Sequence, residues 1–233
     1  MKILKSFNTF SSITGNAATG YPLTNLAKLD TNEIWKGTSS TETITIDFGS
    51  AKPVSGIFLN NTNFTSAIIT ASNSSDFSGG VQLNLTLKKD NLGIIKGFGT
   101  IASTNYRYLK VVCSGLVSGA TVCQMGNLMV GKSENIKVAS WAPEIIDKII
   151  DFESDGGSYR TRRKGQSRHI FNVGFTNIKT AIDELPLDFD YAVIFTDLSD
   201  VADSYIIGRP EQRRGNVNNP LDCSLNLVFK ELI

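Results

Sequence analysis

The stretch ETITIDFG at 42–49 alternates without interruption, with Ile44, Ile46 and Phe48 on one face and Thr43, Thr45 and Asp47 on the other. One apolar and one polar face at a period of two is the signature of a half-buried β-strand. The same reading extends outward to 54–60, 66–72, 81–87, 106–113 and 121–130. Between these runs lie turn formers: NNTN at 60–63, SNSSDFSGG at 72–80 and KDNLG at 89–93. Asn, Asp, Ser and Gly hydrogen-bond their own backbone or accept left-handed dihedrals, so they end strands. Short strands at this spacing predict a sandwich or jelly roll.

Composition changes near Gly131. Before it the chain is rich in Ser, Thr and Asn; after it come EIIDKIID at 144–151 and a basic run, SYRTRRKGQSRH, at 158–169. One short helix is expected at 177–185, where Ile178, Ala181, Ile182 and Leu185 have helical spacing, Thr176 or Asn177 can cap, and Pro186 stops the run. Strands are expected again at 191–195, 204–207 and 223–231. The fold class that follows is all-β: an N-terminal jelly-roll β-sandwich over 1–132, with its core at about 25–131, and a C-terminal mostly β domain over 133–233 with one short helix.

Of the 233 residues 41% are hydrophobic and 19% charged, enough to bury a core. Twenty-three basic residues against 22 acidic leave a net charge of +1, which gives no global attraction to nucleic acid or an anionic membrane. No run approaches the roughly 20 apolar residues of a membrane-spanning helix. Residues 1–20 contain no continuous apolar segment of the kind a secretory signal needs, so synthesis in a cytoplasm is expected. Cys113, Cys123 and Cys223 are odd in number and sit in apolar, strand-like contexts, which reads as buried free thiols.

Little in the sequence assembles a reaction. His169 is the only histidine, three scattered cysteines do not make a zinc site, and no nucleophile elbow or phosphate-binding loop occurs. Acidic groups at Asp147, Asp151, Glu153 and Asp155, and at Asp188, Asp190, Asp197 and Asp200, are the candidates for glycoside cleavage, although solvated loop acids are the plainer reading. The expectation is a protein without catalysis, cofactor or bound transition metal. A structural calcium on loop acids is left open, although no calcium-loop register is present.

Two groups of residues are candidates for binding. Arg160, Arg162, Arg163 and Arg168 would line a guanidinium row on two adjacent strands, suited to ion pairing across a subunit interface more than to nucleic acid. Trp35 would either stack on a sugar ring or fold onto the sandwich as a core cap, and Asn61 and Asn63 in the 60–63 loop are its companion glycan candidates.

Two resemblances extend this reading. Trp35, ITIDFGSAKPVSGIFL at 44–59, YRYLKVVCSG at 106–115 and GNLMVG at 126–131 resemble the galactose-binding-like (discoidin-type) jelly roll over about 25–131. The disulfide usual in that family has no counterpart here. The LMVG strand, Trp141-Ala-Pro143, Arg160 to Arg163 and RHIFNVGF at 168–175 are similar to bacteriophage distal tail or minor tail (tail-tip) proteins. That second resemblance implies a structural, ring-forming virion protein made in a bacterial host. Its partners would be copies of itself, hexameric rather than trimeric, and other tail tube and tip proteins. The alternative is a carbohydrate-binding module for adsorption to a host-surface glycan, with a polysaccharide depolymerase behind it.

Overall fold

The computed structural model describes residues 2–28, 33–90, 92–135, 140–146, 149–153, 159–163, 168–175, 192–195, 206–219 and 222–231, with side chains for Leu4 and the described residues of 7–135. The chain divides into two compact units, Met1–Ile136 with Asp188–Ile207, and Lys137–Leu187 with Gly208–Ile233.

The first unit contains β1 (Lys2–Phe7), β2 (Ser12–Thr14), a short 3-10 helix (Leu23–Ala27), β3 (Trp35–Lys36), β4 (Glu42–Thr62), β5 (Phe64–Ser72), β6 (Val81–Thr86), β7 (Lys88–Lys89), β8 (Ile95–Leu116), β9 (Gln124–Met125) and β10 (Asn127–Asn135). Its architecture turns on β4 and β8, of 21 and 22 residues. Straight strands of that length would reach roughly 70 Å, far beyond a sandwich of this size. They stay antiparallel from Glu42↔Cys113 to Thr62↔Ile95 but slip register between Asp47 and Lys52, and again between Val54 and Gly56. Gly49 takes φ +77° at the first slip, and Pro53 follows where the ladder is already irregular. A proline has no N–H to offer a ladder, so a bend is where a strand tolerates one.

On either side of the bend the two long strands have different neighbours. Their outer halves pair with β2 and β5, and β6 joins β5 to complete a sheet ordered β2-β4-β8-β5-β6. Their inner halves pair with β10 and β7, and β1 adds to β10. Strands that switch sheets at bends build the corners of a sandwich. The all-β, jelly-roll expectation therefore holds.

The core is the alternating face read from the sequence. Ile44, Ile46 and Phe48 are buried with Leu109, Val111, Ile69 and Ala71 from the neighbouring strands. Each large apolar side chain removed from water contributes about 1.5–3 kcal/mol. The segment 54–60 runs apolar without alternation because every one of its residues is buried, on both faces of the sheet.

Three differences from the sequence reading have physical causes. The strands expected at 42–49 and 54–60 are one bent strand, since turn-like residues 49–53 make a bulge rather than a break. β8 starts 11 residues before the expected Tyr106, through the glycine-rich KGFGT. A Cβ on Gly99 would lie 2.5 Å from Leu83 Cδ2, and one on Gly97 3.3 Å from Leu87 Cγ, so these glycines mark a close approach of the two sheets. The strand expected at 121–130 is interrupted at Gly126, whose N–H donates to the carbonyls of Asn60 (3.0 Å) and Asn61 (3.1 Å).

β11 (Ser140–Ile146), β12 (Ile149–Glu153), β13 (Tyr159–Arg163) and β14 (Arg168–Phe175) belong to the second unit. β15 (Ala192–Phe195) belongs to the first and pairs with β1. β16 (Ile206–Asn219) and β17 (Asp222–Glu231) follow. β14 is bordered by β11 and β17, and β13 pairs with β12 in a separate two-stranded sheet. The adjacency expected of the two strands is corrected: among the described residues β13 pairs with β12 and β14 with β11 and β17, so Arg168 and the group Arg160, Arg162 and Arg163 are not on neighbouring strands. Their side chains, that of His169, and the helix expected at 177–185 lie outside the described residues.

Candidate functional site

The loops at one end of the first unit are tied into a single surface by the two-residue ribbon of β3 and β9. Trp35 pairs with Met125 and Lys36 with Gln124. On one side, the Ala18 N–H donates to the Lys36 carbonyl (2.8 Å) and the Tyr21 N–H to the Ala18 carbonyl (3.0 Å). On the other, Asn63 donates through Nδ2 to the Val122 carbonyl (2.9 Å) and accepts from the Gln124 N–H through Oδ1 (2.8 Å). The Gly37 N–H donates to the Cys123 carbonyl, and the Cys123 N–H to that of Ser39.

Glu42 anchors this end from beneath. Its Oε1 accepts from the Thr38 N–H (2.6 Å), the Ser39 N–H (2.8 Å) and the Thr38 hydroxyl (3.3 Å), and its Oε2 from Asn16 Nδ2 (3.1 Å). Only 2% of the residue is exposed. Four donors compensate the loss of hydration that a buried carboxylate suffers. Gly37 is required beside it, since a Cβ there would lie 2.5 Å from Glu42 Cγ.

This surface carries an exposed aromatic ring and a half-buried cation. Tyr21 is 36% exposed, and the Lys36 ammonium sits 4.0 Å from its ring centroid. Lys36 pairs with no carboxylate among the described residues. A cation at that distance from a ring face is attracted to it. The result is a row of Tyr21, Lys36, Gln124 and Asn63 across the end of the sandwich.

Cys113 and Cys123 lie below, both buried and free. Burial raises both thiols well above the ordinary range, Cys123 to about 11, and the Glu42 charge adds to each. Neither is a nucleophile at neutral pH. The Cys223 side chain lies outside the described residues.

The three glycan candidates named from the sequence all reach this end, with different roles. Trp35 is 0% exposed, and its Nε1 donates to the Asn16 carbonyl at 2.8 Å. It presents no ring face to a sugar: the core-cap alternative is the observed one, and the stacking role is corrected. Asn63 spends both ends of its amide on backbone, as above. Asn61 is half-buried and sits in the left-handed region at φ +53°, as a turn residue. The second Asn-rich loop, at 72–75, belongs elsewhere. Asn73 is bound to the Asn105 carbonyl and the Arg107 N–H, at the opposite end of β5 and roughly 25 Å from the 60–63 loop.

Sequence reasoning missed Tyr21 and Lys36. Lys36 adjoins the tryptophan that drew attention, but Tyr21 lies 15 residues earlier in an irregular segment with no period to report its position.

No family model and no curated protein matches the chain. Among solved structures, similar folds include the CBM32 of AlyQ in complex with 4,5-unsaturated mannuronic acid, at 16% identity over 54% of this chain and 97% of that one, with a TM-score of 0.42. Another is the lectin domain of lectinolysin complexed with Lewis B antigen, at 12% identity over 52% and 92%, with a TM-score of 0.42. A third is CBM62 from Clostridium thermocellum Xyl5A, at 16% identity over 51% and 91%, with a TM-score of 0.41. Each covers about half of this chain. The bacteriophage tail-tip resemblance has no counterpart among these three.

Proposed function

We propose that the first unit is a non-catalytic carbohydrate-binding module that holds a sugar at the β3–β9 loop end. The observation that carries this reading is the exposed Tyr21 ring with the Lys36 ammonium against it, on loops fixed from below by Glu42. Sugars are bound where an aromatic surface meets their C–H faces and a few fixed polar groups meet their hydroxyls. Tyr21 supplies the first, and Lys36 and Gln124 supply the second. Lys36 also favours sugars bearing a carboxylate, because no carboxylate among the described residues pairs with its charge.

Binding without turnover fits the state of Glu42, the carboxylate beneath these loops. Glycoside cleavage needs two carboxyl groups facing the bond, one able to give a proton. Glu42 is buried and occupied by four donors, and so faces the loops rather than a ligand.

A glycan array followed by calorimetric titration of the best ligands tests the proposal. The expected result is binding that Tyr21→Ala abolishes while the melting temperature stays unchanged. An array without a single binder, or full binding by Tyr21→Ala, would overturn it.

A further inference from the structure

We infer that the free edge of β6 is a docking site for a second copy of this chain, joined antiparallel about a two-fold axis through Asn84. Among the described residues β6 pairs only with β5, from Ser66↔Thr86 to Ala71↔Val81, and ends its sheet. Sheet edges in soluble proteins are commonly blocked by charge, proline or a bulge, because unpaired backbone groups recruit other strands. VQLNLTL at 81–87 has no charge and no proline, and its pairing with β5 shows no register slip.

The partner is indicated by the strand's own order of residues. About Asn84 the segment reads nearly the same in both directions. A two-fold pairing sets Leu83 opposite Leu85, Gln82 opposite Thr86, Val81 opposite Leu87, and Asn84 opposite itself. Directly opposed residues in an antiparallel pair share a face. The pairing therefore matches apolar with apolar and amide or hydroxyl with the same kind, without a single charge conflict. An antiparallel arrangement shifted by one residue would set the Leu row against the Gln, Asn and Thr row.

Exposure at this edge agrees. Gln82, Asn84 and Thr86 are exposed, and Val81 (39%) and Ile68 (37%) are among the most exposed large apolar residues described. Ile68 stands directly opposite Asn84 in the β5–β6 ladder. Doubling the sheet continues its outer row as Val112, Ile68, Asn84 and then the same residues in reverse from the second copy. The extension gives the open backbone edge of β6 its hydrogen-bond partners and sets the exposed Val81 beside Leu87 of the second copy.

Light scattering coupled to size exclusion, on the full chain from 1 to 200 µM, tests the inference. The expected mass is twice that of the chain at the upper concentrations. Asn84→Lys sets two ammonium groups against each other at the axis and should return the monomer, with an unchanged circular dichroism spectrum because the position is exposed. Ala51→Lys, an exposed control at the β4 bend, should leave the dimer intact. Asn84→Cys should cross-link on treatment with diamide, which takes up the two thiol hydrogens as the disulfide forms, whereas the wild type should not. A monomer throughout, or a dimer that Asn84→Lys does not dissociate, would overturn it.

Discussion

Lys96 and Asp90 meet at 2.8 Å between Nζ and Oδ2, with neither side chain exposed to any degree. The other carboxylate oxygen of Asp90 accepts from the N–H groups of Leu92 (2.9 Å) and Ile94 (2.7 Å), closing the turn between β7 and β8. A sequence motif that looks like an ordinary polar turn, KDNLG, is thus fixed around a fully buried ion pair. Removing one member of such a pair strands the other charge away from water. That costs about 3–5 kcal/mol, whereas replacing both with apolar groups can be nearly neutral.

Lys96→Met should therefore lower stability by about 3 kcal/mol or more. The double variant Lys96→Met with Asp90→Asn should recover a large part of that loss. Urea unfolding midpoints would show it. Single and double variants of equal stability would mean that the pair does not behave as one unit.

Acid should loosen the first unit through two carboxylates, the half-buried Asp47 and the exposed Asp76. Arg107 grips Asp47 with two parallel bonds of 3.0 Å, Nε to Oδ1 and Nη2 to Oδ2. That hydrogen-bonded guanidinium, helped by the Gly49 N–H, holds the Asp47 carboxyl below its usual range. Asp76 is held at about 2, first by the Ser78 N–H and then by the hydroxyls of Ser74 and Ser78. A carboxyl depressed by folding gives stability that is present above its unfolded value near 4 and is lost as pH falls through the folded one. Melting temperature should then decline from about pH 4 towards pH 2, and Asp76→Asn combined with Asp47→Asn should flatten that decline. An unchanged slope in the double variant would remove these two groups from the acid response.

Trp35 and Tyr21 should separate stability from binding. Trp35 is enclosed by the core, so Trp35→Ala should cost about 3–5 kcal/mol through the cavity it leaves. Trp35→Phe should keep glycan affinity while losing the bond to the Asn16 carbonyl. Tyr21→Ala should do the reverse, with stability kept and affinity lost. Lys36→Gln should weaken acidic sugars most, and wild-type affinity for those sugars should fall with added salt. Paired melting and titration curves decide it, and a Trp35→Phe variant that folds normally but loses its ligand would reinstate the tryptophan as a contact.

What the sequence carried was local. The alternation from Thr43 to Phe48 placed Ile44, Ile46 and Phe48 on the core face, because a period of two records which side of a strand is buried. The same logic failed where both faces are covered, and where glycines such as Gly97 and Gly99 serve close packing rather than a turn. Trp35 was visible as a residue of interest, yet its residue type is equally suited to a core and to a sugar. Only its complete burial and its bond to the Asn16 carbonyl separate the two. The Tyr21–Lys36 pair depends on how an irregular segment folds back on the β3–β9 ribbon, and no periodicity encodes that. The arginines at 160–168 were read as neighbours from their closeness in the chain, whereas strand pairing sends β13 and β14 to different partners.

Glu42 should prove to be the residue that joins stability to binding. It opens the strand whose alternation identifies the sandwich, and it holds the loop from Gly37 to Ser39 through three of its four bonds. Glu42→Ala removes all four. Because Thr38 and Ser39 are exposed, water can replace part of what they lose, and the stability cost should be about 2 kcal/mol rather than the larger penalty of a sealed site. The loop would nevertheless lose its fixed position relative to Lys36, so affinity should fall although Glu42 touches no ligand. Glu42→Gln keeps one carbonyl oxygen for the two backbone donors and should retain most of the binding. Gly37→Ala should imitate Glu42→Ala, since its methyl group occupies the space of the carboxylate stem. Calorimetric affinities alongside unfolding midpoints for the three variants test the relationship. Full affinity in Glu42→Ala would show that the loop does not depend on this anchor.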